Sequence, residues 1–202
     1  PHRPHNPLIN SGAIVVLSLL PWTESNERVT AVSDLAARMA GKPSVSMNSA
    51  VYISEKETSD RNRALAWFLK SVGNLHGDIE DILDAYFRQC SLETNCADLA
   101  VMGATLAADG RNPITEEQVL TPRVARVVRT IMATCGMYDG SGEFAVSAGI
   151  PAKSGVGGGI AAAVPGMMGI GTCGPALDSR GNSVAGLAMM KKLSEVLNLR
   201  IY

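Results

Sequence analysis

A chain of 202 residues with 46% apolar content is long enough to bury one good-sized core, which excludes a disordered polypeptide. Its 18 lysines and arginines stand against 19 aspartates and glutamates, so the net charge of -1 gives no electrostatic reason to expect nucleic acid or an anionic membrane as a partner; a small-molecule ligand fits better. The longest apolar run, residues 13–20, is interrupted by Ser18 and falls far short of the roughly 20 residues of a membrane span, so the chain is expected to be soluble.

In chain order, helical spacing of apolar residues predicts helices over about residues 27–40, 59–72 and 79–90. The third shows the pattern well, with Ile79, Ile82, Leu83, Tyr86, Phe87 and Cys90 on one face. A fourth helix is expected over about 95–108. A fifth runs over about 122–134, where Thr121 can cap, Pro122 fits the first turn, and Gly136 ends the element. Its predicted apolar face is Val124, Val127, Val128, Ile131 and Met132.

Beyond about residue 137 the pattern changes to short apolar runs bounded by Gly and Pro. Strands are expected over 143–148, 160–164 and 168–173. The chain closes with an amphipathic helix over about 184–197, with Met189, Met190, Leu193, Val196 and Leu197 on the face meant for the sheet. A block of helices followed by strands and a last helix is α+β in character, with no repeating βαβ layout. The whole chain reads as one partial domain, residues 1–137 mainly helical and 138–202 carrying the strands and the final helix.

Cys90, Cys96, Cys135 and Cys173 form no CxxC pair and have no histidines spaced to complete a zinc site, so they are expected to be free, mostly buried thiols in the cytoplasm or another reducing intracellular compartment. His2 and His5 sit at the very start and only His76 lies further in, which argues against a structural metal. The sequence opens on Pro1 without an initiator methionine, a basic n-region or a hydrophobic h-region. No targeting segment is read there, and the chain is expected to be part of a longer one.

The most telling short motif is Lys153-Ser154-Gly155, followed by Val156 and three glycines. It matches the K-[ST]-G element with which an edge strand lines the active site of penicillin-binding proteins and β-lactamases. The lysine brings positive charge, the hydroxyl can donate to a carboxylate, and the glycine lets a substrate approach the backbone. Taken alone, the tripeptide fits an ordinary loop as well. Gly157, Gly159 and Ala162 also fit G-x-G-x-x-A, with Asp178 at a distance suited to a ribose contact. Pro165 and Gly166 stop the helix a dinucleotide site needs, and no βαβ unit surrounds it.

Five blocks in order decide the matter. Pro4-His5-Asn6-Pro7-Leu8-Ile9-Asn10-Ser11-Gly12-Ala13-Ile14 resembles the P-H-N-P-hydrophobic-hydrophobic-N-A-G-A-I signature of the serine-dependent glutaminases, with Ser11 for the usual Ala. Glu55-Lys56-Glu57-Thr58-Ser59-Asp60-Arg61-Asn62 looks like that family's E-x-E-x-x-D-R-N block. Leu83-Asp84-Ala85-Tyr86-Phe87 with Cys90-Ser91, then Cys135-Gly136-Met137-Tyr138-Asp139, then Pro151-Ala152-Lys153-Ser154-Gly155-Val156 follow in family order. The resemblance covers the whole chain and implies a β-lactamase-like fold, with an antiparallel sheet and a C-terminal helix packed on it. It further implies hydrolysis of L-glutamine to L-glutamate and ammonia, a homo-oligomer of two or four copies, and no metal or organic cofactor.

Carried over by position, the resemblance implies a glutamine site of Asn10, Glu55, Asn62, Tyr86, Tyr138 and Val156, with Lys153, Ser154 and Gly155 in support. A Glu can hold an α-ammonium, Asn offers donors and acceptors, and a phenol can bond a carboxylate. Without the resemblance each has a plainer reading: core packing for Tyr86, a solvated charged face for Glu55, capping or surface for Asn62 and Asn10, and a turn for Tyr138. Catalytically, the resemblance makes Tyr138 a proton relay and the backbone N–H of Val156 half of an oxyanion hole.

In this fold the nucleophile and its base come from S-x-x-K, whose helical spacing puts both on one face. No serine here is followed three residues later by lysine: at that spacing Ser44 has Met47, Ser54 has Glu57, Ser91 has Thr94 and Ser154 has Gly157. The resemblance puts that motif ahead of the P-H-N-P block, and the 202 residues by themselves are expected to be inactive. Two other readings stay open: another β-lactamase-like serine acyl hydrolase acting on peptides or lactams, or a non-catalytic amino-acid-binding fragment.

Overall fold

The computed structural model describes residues 2–202. The chain forms two compact units, one taking in the residues up to Leu35 together with Ser44–Glu93, the other Ala36–Pro43 together with Thr94–Tyr202.

The first unit is helical. It contains α1 (Asn10–Ser18), the start of α2 (Ser25–Ala40), α3 (Ser49–Thr58), α4 (Asp60–Ser71) and α5 (Ile79–Cys90). Helix α5 has the bounds its periodicity predicts, because Asp78 accepts from the Asp81 N–H at 2.9 Å and fixes its start. Its apolar face supplies Ile79, Ile82, Leu83 and Phe87 to the core, where they meet Ile14 and Leu17 of α1 and Leu69 of α4. At roughly 1.5–3 kcal/mol for each large side chain buried, this cluster is the main stabilising element of the unit.

Polar ties fasten α5 to its neighbours. The Asp84 carboxylate accepts from Ser25 Oγ at 2.7 Å, Tyr52 Oη at 2.5 Å and Lys56 Nζ at 3.1 Å. Burial works against its ionisation, but those three hydrogen bonds and the Lys56 charge outweigh it and hold the carboxyl below its usual range. Asp81 pairs with the buried Arg28 and accepts from the Ser25 N–H at 2.8 Å.

The second unit contains α6 (Cys96–Ala107), α7 (Pro122–Cys135), a 3-10 turn at Tyr138–Gly140, α8 (Ser141–Ser147), β1 (Ala152–Ser154), β2 (Gly159–Val164), β3 (Met168–Cys173) and α9 (Val184–Val196). The strands form one antiparallel sheet in the order β1-β2-β3, pairing Ala152 with Ala162 and Ile160 with Thr172. Successive β2 side chains point to opposite faces. Ala163 joins Leu106 of α6 on one face, and Ile160, Ala162 and Val164 join Met190 of α9 on the other. The expected α+β architecture, with an antiparallel sheet and a last helix packed on it, is the one observed.

Several local expectations change. Residues 143–148 are not a strand: Ser141, Phe144 and Ala148 are the buried positions, a spacing of three and four that belongs to α8, while Val146 is 82% exposed. Helices α1 and α3 were not predicted. On α7 the packed positions are Ala125 and Met132, and Val124 and Val127 face solvent. On α9 the seated positions are Gly186, Met190 and Ser194, whereas Met189, Val196 and Leu197 are exposed. The small Gly186 and Ser194 let α9 approach the sheet closely around Met190, and Leu187 and Leu193 pack against the same cluster. The cysteines are free as expected but not mostly buried: Cys90, Cys96 and Cys173 are exposed and Cys135 is half-buried.

Candidate active site

The nine expected site residues divide between the units. Asn10, Glu55, Asn62 and Tyr86 lie in the first, and Tyr138, Lys153, Ser154, Gly155 and Val156 in the second.

In the first unit Asn10 opens α1. Asn6 prepares that position by accepting from the N–H groups of Leu8 and Ile9 at 2.9 and 3.2 Å, turning the chain into the helix. The incoming loop lies so close to α1 that a Cβ on Gly12 would sit 1.9 Å from the Asn6 carbonyl oxygen, so only glycine fits there. Glu55 lies in the last turn of α3 and Asn62 in the first turn of α4, with the chain bending between the two helices at Ser59.

A continuous hydrogen-bonded chain joins these side chains. Asn10 Nδ2 donates to Asn62 Oδ1 at 3.0 Å, Asn62 Nδ2 donates to Ser59 Oγ at 3.5 Å, and Ser59 Oγ donates to Glu55 Oε2 at 3.1 Å. Asn62 and Ser59 are buried, Glu55 is half-buried and Asn10 is exposed, so the inner members fix the orientation of the outer ones. The second carboxylate oxygen of Glu55 and the carbonyl oxygen of Asn10 are the groups this arrangement offers to a cationic or hydrogen-bonding ligand.

On α5, Cys90 feels the charge of Glu55 and shares a hydrogen bond with Tyr86. Although Cys90 keeps an exposed surface, crowding around its sulfur pushes the thiol up to about 11; the hydrogen bond with Tyr86 opposes this and the negative charge of Glu55 adds to it. Ser59 was not singled out in the sequence. The signal that could have found it is its place as the residue closing one helix and opening the next, where a hydroxyl bends the chain and is drawn inside.

In the second unit Tyr138 adopts φ +52°, a left-handed backbone that a bulky residue rarely takes and that persists only when its surroundings enforce it. Ser141 supplies the latch: its Oγ accepts from the Met137 N–H at 3.0 Å and donates to the Tyr138 carbonyl at 2.7 Å. The ammonium of Lys153 lies 4.8 Å from the Tyr138 ring centroid and also donates to the Ser154 carbonyl. Burial lowers the Lys153 pKa against a weaker opposing effect of Cys135, so its neutral form becomes more accessible.

Burial pushes the Tyr138 phenol up, and a backbone hydrogen bond from Val156 works the other way. The Val156 N–H therefore has the Tyr138 phenol as its partner in this structure. The Val156 side chain is 72% exposed, and a Cβ on Gly181 would lie 3.6 Å from both that side chain and the Tyr138 ring. Ser154 is fully buried on the α9 side of the sheet, its Oγ without a hydrogen-bond partner among the described residues, and Lys153 takes the opposite face.

A separate groove of about 530 Å³ in the first unit, lined by Arg3, His5, Val16, Leu19 and His76 among others, contains none of the nine expected site residues. Among the described residues no group of three or more His, Cys, Asp and Glu could hold a metal ion, and no helix is long and apolar enough to cross a membrane.

Within each unit these candidate positions belong to the sequence blocks read above. The family model described as Glutaminase matches residues 1–202. The chain is 54% identical over 200 residues to Glutaminase 2 of Clostridium perfringens and 53% identical over 201 residues to the glutaminase of Clostridium botulinum strain Loch Maree, covering 99% and 100% of this chain and 66% of each relative. It spans about two thirds of the length of these curated relatives.

Among solved structures, the Bacillus subtilis glutaminase in covalent complex with 5-oxo-L-norleucine superposes with a TM-score of 0.94 at 40% identity, covering 98% of this chain and 70% of that one. The β-lactamase-like fold expected from the motifs is therefore the fold this chain adopts. A family match that runs the full 202 residues, on a structure superposing this closely, makes the chain a member of the glutaminase family.

Proposed function

We propose that this chain is the amino-acid-binding and proton-relay portion of a glutaminase that hydrolyses L-glutamine to L-glutamate and ammonia through a seryl acyl-enzyme. The observation that carries the reading is the hydrogen-bonded chain Asn10–Asn62–Ser59–Glu55, which holds a carboxylate and two amides in fixed orientation at the family's motif positions. Glu55 takes the α-ammonium of the ligand, and Asn10, Asn62 and Tyr86 serve the α-carboxylate and ammonium by hydrogen bonds. Such a set rejects ligands lacking either group, because its own buried polar atoms would be left unpaired.

In this proposal Tyr138 moves a proton with lysine help, and the Val156 N–H donates to the oxygen that gains charge as the carboxamide is attacked. The attacking hydroxyl comes from a Ser-x-x-Lys pair, which these 202 residues do not contain. The same proposal places the protein in a reducing intracellular compartment, supported by its free thiols, and has it act as a homo-oligomer of two or four copies, which light scattering would check.

A substrate panel tests the reading, using the protein together with its Ser-x-x-Lys segment. L-Glutamine should be hydrolysed, whereas a carboxamide of equal length without the α-amino group should lose at least about 10-fold in kcat/KM. Equal turnover of both, or preference for a lactam or peptide, would favour the broader acyl-hydrolase reading. Binding of glutamine with no turnover would favour a non-catalytic binding fragment.

A further inference from the structure

Helix α6 lies against β3 at backbone contact. A Cβ on Gly171 would sit 2.0 Å from the Cys96 carbonyl oxygen, and one on Gly169 would sit 2.0 Å from the Ala100 carbonyl oxygen. Side chains two apart on a strand share a face, so Cys173, the last residue of β3, comes up on the α6 side next to Gly171. Cys96 is the first residue of α6, and the two thiols lie within hydrogen-bonding reach of each other. Both cysteines are exposed and neither is in a disulfide.

The other two cysteines are placed differently. The Cys135 thiol donates to the Ile131 carbonyl of its own helix at 3.2 Å, and Cys90 belongs to the first unit beside Tyr86. Among the described residues no third His, Cys, Asp or Glu joins Cys96 and Cys173 to complete a metal-binding group. What the pair can do is exchange with a disulfide.

We propose that Cys96 and Cys173 form a reversible dithiol–disulfide site that reacts with low-molecular-weight disulfides and links the start of α6 to the end of β3. The Cys96 thiolate attacks one sulfur of the small disulfide, forming a mixed disulfide and expelling one small thiolate, which takes up the proton that Cys96 lost. The Cys173 thiolate then attacks the Cys96 sulfur, closing the Cys96–Cys173 bond and expelling the second small thiolate, which is protonated in turn. Two protein thiols are oxidised and one small disulfide is reduced to two thiols.

The order of attack follows from the contact. The hydrogen bond to Cys96, with some burial, pushes the Cys173 thiol up to about 11, so Cys173 keeps its proton at neutral pH and the first attack falls to Cys96. In a reducing compartment the dithiol is the resting form, and the disulfide is a transient, oxidant-dependent state. The close approach of the two backbones at Gly171 keeps both cysteines at the same end of the α6–β3 contact. The inference does not depend on the proposed enzymatic activity.

The test is to incubate the purified chain with oxidised glutathione at neutral pH and map the products after cleavage with trypsin and a glutamate-specific protease, which separates Cys96 from Cys90 at Glu93. The expected product is a Cys96–Cys173 cross-linked peptide, reversed by dithiothreitol. Cys173→Ser should trap a stable glutathione adduct on Cys96, and Cys96→Ser should slow modification of Cys173 by at least about 10-fold. Separate adducts on both cysteines of the wild-type chain without a cross-link would overturn the proposal. So would an absence of reaction at either one, or Cys173 reacting as fast in Cys96→Ser as Cys96 does in Cys173→Ser.

Discussion

In the first unit the candidate ligand-holding side chains are fastened to one another, from Asn10 through Asn62 and Ser59 to Glu55, whereas in the second the candidate proton-transfer groups are fastened to the backbone. Tyr138 is held by the Ser141 latch in a left-handed conformation and touches the Val156 N–H, and Lys153 reaches the carbonyl of Ser154. A side-chain network sets orientation and hence which ligand is accepted. A strained, backbone-locked corner with shifted phenol and lysine pKa values suits proton transfer. The first region should therefore govern KM and the second kcat.

The largest effect should come from the second region. In the protein together with its Ser-x-x-Lys segment, Tyr138→Phe keeps the ring but removes the proton, and kcat should fall by about 100-fold or more while KM for glutamine changes little. Steady-state kinetics would show it, and wild-type turnover would break the contrast at its stronger end. Next comes Glu55→Gln, which removes a charge-assisted contact of roughly 1.5–3 kcal/mol and should raise KM about 10- to 100-fold with kcat nearly kept. An unchanged KM would take Glu55 out of the ligand set.

A smaller change is expected from Ser59→Ala. It cuts the middle of the chain while leaving both ends in place, so KM should rise by only about 2- to 10-fold, the worth of one ordinary hydrogen bond. A fall in kcat alone would contradict its placement in the orienting network.

The least effect on activity, but a distinct one on stability, belongs to Asp84. Its folded pKa is depressed, so its contribution is complete above the unfolded carboxylate pKa near 4 and is lost as pH falls through the lower folded value. Asp84→Asn should lower stability by about 1–3 kcal/mol at neutral pH, with the gap to wild type closing in strong acid, as urea melts at several pH values would read.

The two regions were also unequally legible in the sequence. Helix α5 could be read to its ends because its apolar face and the Asp78 cap agree. Helix α3, which carries Glu55, could not, since none of its residues is buried and no apolar period exists to find; the Asn48 cap and the Tyr52–Asp84 contact hold it instead. Helix α1 begins Asn-Ser-Gly, residues of poor helix propensity that the Asn6 turn and tertiary packing override. In α8 the run Glu-Phe-Ala-Val alternates like a strand, and only the seating of Phe144 and Ala148 against the core shows the longer period.

The candidate site positions stand out through their ordered motifs and through little else, because Glu55, Asn62 and Tyr138 each have an unremarkable local context. The contacts that give them direction come from elsewhere: Asn10 reaches Asn62 across 52 positions of chain, and Lys153 reaches the Tyr138 ring from a strand. Ser59 escaped notice because it fills a variable place in the E-x-E-x-x-D-R-N block. Its importance lies in a bend between two helices that no periodicity records.

The division into an orienting region and a reacting region, with the attacking hydroxyl contributed by neither, is tested most directly by ammonia release from L-glutamine. The 202-residue chain and a version that also carries the Ser-x-x-Lys segment would be measured side by side, with circular dichroism showing that both are folded. The account predicts turnover in the longer protein and none at an enzymatic rate in the shorter, because no serine among the 202 residues is followed three positions later by the lysine that would take its proton. Comparable turnover in both would contradict it and would mean that the nucleophile lies among the residues described.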